Sequence, residues 1–291
     1  MLVTPHPLPR MDFSRGIPPE YRTLVAVPTM LIDPQNITKL IESMEIRFLA
    51  NQDDNLRFAL LTDFRDASAQ MMPDDEQLLI LANKGIDTLN EKYKSSKGDI
   101  FFLFHRPRLF NPEENIWMGY ERKRGKLADL NAFLRGRTKD SSGRNLFSLV
   151  AGDTAILRNV KYVITLDTDT QLPRVAAWQF IGTMAHPLNR AQYDEKKNRV
   201  CEGYGILQPR VSVSLPNINL SLYSAMYGTN SGIDPYTRTV SDVYQDIFGE
   251  GSLSAKAFMI LTHSRLLLMD ISPKIRSSVM ILLKDVMPDR D

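Results

Sequence analysis

The sequence is poor in the residues that build disulfides and soft-metal sites. Its 291 residues include a single cysteine, Cys201, and four scattered histidines, His6, His105, His186 and His263. One cysteine cannot form an internal disulfide. A chain without disulfides fits a reducing compartment. Zinc sites need several clustered cysteine or histidine ligands, so these residues do not predict one. Any bound metal is therefore expected to be a hard cation held by oxygen ligands.

Long apolar runs and an excess of charge of one sign are also missing. The most apolar stretch, AFMILTHSRLLLMDI, is interrupted by polar residues and falls short of the roughly 18 uninterrupted residues of a membrane span. The first residues, MLVTPHPLPR, have no apolar signal-peptide core. The net charge of +2 lacks the basic excess of a nucleic-acid-binding protein. We therefore expect a soluble, cytoplasmic chain with no membrane span and no nucleic-acid partner.

What the sequence does have is the composition and patterning of a globular α/β protein. Hydrophobic residues make up 43% and charged residues 24% of the chain. Short β-branched runs alternate with segments whose apolar residues recur at helical spacing, which indicates a mainly parallel sheet. The predicted strands cover 22–28, 56–64, 100–106 and 161–167, and the predicted helices cover 34–51, 75–94, 123–136 and 176–188. The first strand is expected to stop at Pro28, after an extended arm over residues 1–21.

Two aspartates follow the fourth predicted strand, in the stretch YVITLDTDTQLPR. One residue separates Asp167 from Asp169, and residues i and i+2 of an extended segment point to the same side. Two such carboxylates can share one Mg²⁺ or Mn²⁺ that also binds substrate phosphate oxygens. The pattern equally fits haloacid-dehalogenase-like phosphatases, with Asp167 attacking phosphorus and Asp169 as general acid. It also fits an ordinary turn at the end of a strand.

Other polar residues are expected near the same edge of the sheet. In open parallel sheets, ligands bind beyond the carboxyl ends of the strands. Asp63 lies at the end of the second predicted strand, and Thr29 follows the first. The segment RKRGKLADLN, residues 122–131, places a basic cluster shortly before the aspartate pair. This cluster is either a solvated helix face or a phosphate clamp in which Lys126 supplies a point charge.

Several motifs occur in the order that is typical of family 2-like glycosyltransferases with the GT-A fold. They are VAVPTM, LLTDF, GKLADLN, ITLDTDTQLP, GYGILQPRV and FGEGS. The stretch from residue 162 to residue 252 more closely resembles the glycosyltransferase domains of cyclic β-1,2-glucan synthases, glycosyltransferase family 84. The resemblance runs from about residue 8 to residue 252. It implies a GT-A-like nucleotide-sugar-binding fold with a mainly parallel central sheet.

The resemblance also implies an activity and a set of site residues. Family members are inverting glucosyltransferases that use UDP-glucose and Mg²⁺ or Mn²⁺ to extend a β-1,2-glucan acceptor, at the cytoplasmic face of the inner membrane. The metal-binding positions of the family match Asp167 and Asp169. The positions near the donor match Thr29, Asp63, Lys126 and Asn131.

One expected motif is missing from the sequence. An inverting transferase needs a general base, which in this family lies in a string resembling SHDLIEG after FGEGS. Here the chain reads LSAKAFMILTHSR from Leu253. Back-translating the family-like FIGKGIYDIDTFSR and deleting one nucleotide yields this same peptide. Residues 269–291, read in the shifted frame, yield a string that contains SHDLIEG.

These matches predict a change of reading frame after Ser252. We therefore expect an incomplete GT-A domain over residues 22–252 and an out-of-frame, poorly packed tail over residues 253–291. No catalytic base is assigned, because its segment is expected to be lost after Ser252. The chain is accordingly predicted to be an inactive fragment, or a non-catalytic remnant, that keeps part of the donor site.

Overall fold

The computed structural model describes residues 8–194, 199–209, 257–261 and 282–283. The strands are β1 Thr23–Leu31, β2 Leu56–Phe64, β3 Phe101–His105, β4 Leu109–Asn111, β5 Ile116–Met118, β6 Leu149–Ala151, β7 Tyr162–Leu166, β8 Gln192–Asp194, β9 Arg199–Glu202, β10 Ile206–Pro209, β11 Ala257–Leu261 and β12 Leu282–Leu283. The α-helices are α1 Pro34–Ala50, α2 Asp75–Lys92, α3 Arg122–Leu134 and α4 Ala176–Ala185. The predicted α/β class is confirmed.

The central sheet has the spatial order β12-β10-β11-β7-β1-β2-β3-β6. Its four middle strands, β7, β1, β2 and β3, are parallel to one another, as the sequence predicted. β6 and β11 pair antiparallel with β3 and β7. The carboxyl ends of the parallel strands therefore lie along one side of the sheet, which we call the carboxyl edge.

Helices cover both faces of this sheet. Alternate residues of β1 enter opposite cores: Val25 and Val27 pack on the side of α1, α2 and α4, whereas Leu24 and Ala26 pack on the side of α3. Every residue of β2 is buried, which is typical of a parallel strand enclosed on both faces. The cores thus fix the carboxyl edge as the place where polar side chains can collect.

The first strand does not stop at Pro28, as the sequence predicted, but continues to Leu31. Its pairing with β7 ends at Ala26, whereas its pairing with β2 continues through Leu31. Beyond Ala26, β1 is hydrogen-bonded to β2 and no longer to β7. Pro28, which has no backbone N–H, is therefore tolerated there. This correction places Thr29 inside β1, two residues before the strand ends.

The described part of the N-terminal arm packs against the domain. Phe13 and Ile17 are buried in the core. The Met11 amide donates to the Gly182 carbonyl at 2.9 Å, and a β-carbon at Gly182 would collide with the Met11 carbonyl. Small size at position 182 therefore lets α4 and the arm approach closely.

Some short elements were not predicted from the sequence. They are the β4–β5 hairpin, β6 and the β8–β9 hairpin. β11 falls in the predicted out-of-frame tail, and its backbone pairs with β7 from Ala257 to Leu261. Many apolar segments can supply backbone pairing of this kind, so the reading frame of the tail stays a prediction. Within the described ranges, no helix combines the length and apolarity needed to cross a membrane.

Candidate functional site

Most of the predicted site residues lie at the carboxyl edge. Asp63 is the penultimate residue of β2 and stands opposite Met30 of β1, next to the Thr29–Thr62 pair. Asp167 directly follows β7, the neighbour of β1 on its other side. The first two turns of α3 reach both places through lysine side chains. The edge thus brings together residues that are about a hundred positions apart in sequence.

Asp63 sits in a buried charged cluster with Lys126 and Arg106. Its side chain is fully buried, with Lys126 Nζ 2.7 Å from Oδ1 and Arg106 Nη2 3.3 Å from Oδ2. The Lys126 ammonium also donates to the Thr29 carbonyl. Burial lowers the pKa of Lys126, while the Asp63 carboxylate opposes that shift. We call Asp63, Lys126 and Arg106 the buried cluster.

Arg106 also fixes the start of α3. Its Nη1 donates to Asp129 Oδ2 at 2.9 Å, and its Nη2 donates to the Tyr120 carbonyl at 2.9 Å. Gly125 packs against this guanidinium, and a β-carbon there would collide with the Tyr120 carbonyl. Burial raises the pKa of Asp129, and the hydrogen bond from Arg106 opposes that rise. No motif indicated Arg106, although it connects the buried cluster to the helix that covers the edge.

Asp167 and Asp169 lie on a turn at the end of β7, and not in the extended segment that the sequence predicted, in which residues i and i+2 point to the same side. The Thr170 amide donates to the Asp167 carbonyl at 3.0 Å, which closes the turn. The Asp167 side chain is 33% exposed, and Asp169 is exposed. We call residues 167–170 the aspartate turn. In contrast to Asp63, both of its carboxylates are accessible to a ligand from solvent.

Lys123 of α3 contacts the aspartate turn. Its Nζ lies 2.5 Å from Asp167 Oδ1, and its side chain is 28% exposed. Lys123 and Lys126 are three residues apart, on neighbouring turns of α3. The Lys123 ammonium pairs with Asp167, and the Lys126 ammonium pairs with Asp63. The basic segment is therefore neither a wholly solvated face nor a set of unpaired phosphate ligands.

Arg47 of α1 donates hydrogen bonds to the backbone of the aspartate turn. Its Nη2 donates to the carbonyls of Thr168 at 2.8 Å and Thr170 at 2.9 Å, and its Nε also donates to Thr170 at 3.1 Å. Burial lowers the pKa of Arg47, and the Asp169 carboxylate opposes that shift. One sequence signal could have revealed Arg47: it falls on the apolar face of α1, three residues after Met44.

The chemistry of the aspartate turn fits a small divalent cation. Magnesium sites commonly use one or two carboxylates, with waters and substrate phosphate oxygens as the other ligands. Asp167 and Asp169 supply two such carboxylates. The described residues contain no group of three or more acidic, histidine or cysteine side chains placed for a metal. A cation here would therefore depend on ligands from water or substrate as well.

The remaining predicted residues are placed as follows. Thr29 is half-buried and contributes its carbonyl to the Lys126 ammonium. Asn131 is half-buried on α3, five residues beyond Lys126 and so about 140° further around the helix axis. Trp178 donates from Nε1 to Asp53 Oδ2 at 3.1 Å, which places it near the start of β2 and away from the carboxyl edge.

The fold defines a mixed α/β protein with a mostly parallel central sheet, and the acidic residues and covering helix at the carboxyl edge form a candidate ligand site. No protein-family profile matches the chain. Comparison with characterised proteins finds a relative, the cyclic beta-(1,2)-glucan synthase NdvB of Rhizobium meliloti (strain 1021), which is 40% identical over 257 residues. The match covers 88% of this chain and 9% of the relative.

This match confirms the resemblance that the sequence motifs predicted. The chain is homologous to a segment of a cyclic beta-(1,2)-glucan synthase, and it spans 9% of the length of that relative. The homology supports a glycosyltransferase role at the level of the family.

Proposed function

We propose that this chain is the donor-binding part of an inverting glucosyltransferase that builds β-1,2-glucan from UDP-glucose. The observation that carries the proposal is the accessible Asp167–Asp169 pair at the carboxyl edge, in a chain homologous to a glucan synthase. In open parallel sheets this edge is where nucleotide ligands bind.

In this proposal the aspartate turn faces the diphosphate of the donor. Asp167 and Asp169 would hold Mg²⁺ or Mn²⁺, which would supply positive charge to the leaving diphosphate. Lys123 contacts Asp167 Oδ1 in the structure. Because the Lys123 side chain is 28% exposed, we propose that its ammonium can turn from Asp167 to a diphosphate oxygen. The lysine would then exchange one anionic partner for another without losing its ion pair.

The residues around the buried cluster would bind the nucleotide side of the donor. Asp63 is already held by Lys126 and Arg106, so we propose that it acts mainly by fixing the positions of Lys126 and Arg106 beside the nucleotide. Thr29 would contact the nucleotide from β1, and we propose a donor contact also for Asn131, which lies further along α3 and on another side of that helix than Lys126. In this arrangement the nucleotide contacts a rigid surface, and the diphosphate contacts the more accessible turn.

The proposal is tested by calorimetric titration of the 291-residue chain with UDP-glucose in Mn²⁺. We expect binding by the wild type and at least a roughly 10-fold loss in Asp167→Asn and Asp169→Asn. Asp140→Asn is the matched control, because Asp140 is 28% exposed and is paired with Arg144 at 2.9 Å, much as Asp167 is paired with Lys123. Equal losses in all three variants would contradict the proposal.

We further propose that the chain binds the donor but does not synthesise glucan. The base-bearing string SHDLIEG does not occur in its 291 residues. The whole synthase would carry that base and act at the cytoplasmic face of the inner membrane. Glucan formation from UDP-glucose by the purified chain would contradict this part of the proposal.

The reading frame after Ser252 is tested separately, by resequencing the gene across codons 250 to 256 and beyond codon 291. An extra nucleotide that restores FIGKG and SHDLIEG would establish the frame change. A confirmed sequence with no such continuation in any frame would rule it out.

A further inference from the structure

Arg47 is a charged residue on a helix face that otherwise packs against the sheet. It is 1% exposed, and its neighbours on that face include Met44 and Phe48, which are also buried. Among the described residues it forms no ion pair with a carboxylate. A buried guanidinium is costly unless its donors are satisfied, so this side chain is expected to have a specific task.

Two nitrogens of Arg47, Nε and Nη2, donate to the aspartate turn, whereas the buried Nη1 has no hydrogen-bond partner among the described residues. Nη2 reaches the carbonyls of Asp167 at 3.3 Å, Thr168 at 2.8 Å and Thr170 at 2.9 Å, and Nε reaches Thr170 at 3.1 Å. Three of the four carbonyls of the turn therefore point to one guanidinium. Because Arg47 holds these carbonyls in place, the Asp167 and Asp169 side chains project from a backbone of fixed shape.

Asn51 extends this support by one helical turn. It directly follows α1, and its Nδ2 donates to the Arg47 carbonyl at 3.3 Å. Its Nδ2 donates to the Leu172 carbonyl at 3.0 Å, and its Oδ1 accepts from the Ala177 amide at 3.2 Å. The end of α1 thus holds the chain from the aspartate turn to the start of α4.

We propose that Arg47 is a positioning residue that fixes the aspartate turn so that Asp167 and Asp169 present their carboxylates together to a divalent cation. This inference rests on the proposed function of that pair. The guanidinium also places a positive charge beneath the turn, where it offsets the repulsion between two nearby carboxylates. The side chain would touch neither the cation nor the donor.

A purely structural role is the competing explanation, and the chain contains a matched control for it. Arg57 is also 1% exposed, and within the described part of the chain it donates to two backbone carbonyls, those of Leu56 at 3.0 Å and Lys97 at 3.3 Å. It lies near the amino end of β2, opposite the carboxyl edge. Arg57→Met therefore removes a buried guanidinium of the same kind without touching the aspartate turn.

The first measurement is Mn²⁺ binding to the full chain, followed by electron paramagnetic resonance of the unbound ion. We expect Arg47→Met to weaken Mn²⁺ binding about 10-fold or more, as loss of a supporting residue typically does. Arg47→Lys keeps the charge but not the fork of donors, so a smaller loss is expected. Arg57→Met is expected to bind Mn²⁺ as the wild type does.

The second measurement is amide hydrogen exchange, which does not require a bound metal. Exchange at residues 168–172 should be faster in Arg47→Met than in the wild type and unchanged in Arg57→Met. Unaltered Mn²⁺ affinity in a folded Arg47→Met, or an equal loss in Arg57→Met, would overturn the inference while leaving the proposed function intact. No Mn²⁺ binding by the wild type would contradict the proposed function and, with it, this inference.

Discussion

The buried cluster and the aspartate turn use the same pair of residue types in two different environments. Each has an aspartate at the carboxyl edge and a lysine from the first two turns of α3, at 2.7 Å and 2.5 Å respectively. The Asp63 and Lys126 side chains are 0% and 4% exposed, whereas Asp167 and Lys123 are 33% and 28% exposed. Burial makes the first pair a fixed part of the fold and leaves the second available for exchange with a ligand.

The two ion pairs differ for a simple physical reason. Removing one partner of a buried ion pair leaves an uncompensated charge in a poorly solvated place, which is strongly unfavourable. Water can solvate either partner of an accessible pair, so that pair contributes little to stability. An accessible ion pair can therefore exchange a partner for a charged ligand at low cost. The buried ion pair instead stabilises the fold around it.

The largest expected effect comes from breaking the buried pair. Lys126→Met leaves Asp63 with Arg106 alone and should lower the free energy of unfolding by about 3 kcal/mol. Urea unfolding at pH 7 measures this loss. Adding Asp63→Asn should recover part of it, because the unpaired carboxylate is then removed. If Lys126→Met lowered the free energy of unfolding no more than Lys123→Met does, the proposed difference between the buried cluster and the aspartate turn would be wrong.

Gly119 tests the same region without removing a charge. A β-carbon at this position would collide with the Asp63 carboxylate. Gly119→Ala should therefore displace Asp63 from its partners and cost about 2 kcal/mol, as overpacking of a filled site commonly does. The same urea experiment measures it. Stability equal to the wild type would show that the cluster tolerates a shift.

Acid should weaken the buried region through His105, which pairs with Thr62 of β2. Burial lowers the pKa of His105 to about 3; Asp75 opposes the shift, and Lys126, Arg108 and Arg106 add to it. The unfolded chain binds this proton near the ordinary value of 6.5, so the contribution of His105 is complete above that pH and is lost as the pH falls toward 3.

This pH dependence can be measured by urea unfolding at pH 7 and pH 5. We expect the wild type to lose about 2 kcal/mol between these values through His105. His105→Gln retains a polar group for the Thr62 hydroxyl, which lies 2.8 Å from His105 Nδ1, but cannot take up the proton. A variant that keeps the full slope would show that other groups cause it.

The smallest effect on stability is expected at the accessible pair. Lys123→Met should change the free energy of unfolding by less than about 1 kcal/mol. Its effect on binding should be larger and should depend on the ligand. Mn²⁺ alone should bind more tightly, because no ammonium competes for Asp167, and UDP-glucose should bind more weakly in Mn²⁺. Titration calorimetry distinguishes the two, and parallel changes would contradict the proposed exchange of partners.

The main elements of the fold could be predicted because their patterns are local. β2 and the four helices have apolar residues at the spacing of their own secondary structure, so burial on the sheet could be inferred directly. The three-residue strands β4, β5 and β6 are too short to show a period. Pro28 was misread as a strand end because its tolerance depends on where the β1–β7 ladder stops, which only the paired structure shows.

The candidate site was predictable for its acidic residues and less so for its basic ones. Asp63, Asp167 and Asp169 follow strand patterns, so their edge position could be inferred. The burial of Lys126 depends on Asp63, which lies 63 residues earlier in the sequence. Arg47 depends on carbonyls more than a hundred residues later. Contacts at such separations leave no local pattern.

The most direct test of the central claim is a crystal structure of the chain grown with Mn²⁺ and UDP, with the cation located by its anomalous scattering. We expect a peak between Asp167 and Asp169, with Lys126 still paired with Asp63. A peak at Asp63, or ordered UDP with no cation at the aspartate turn, would contradict the proposed metal site.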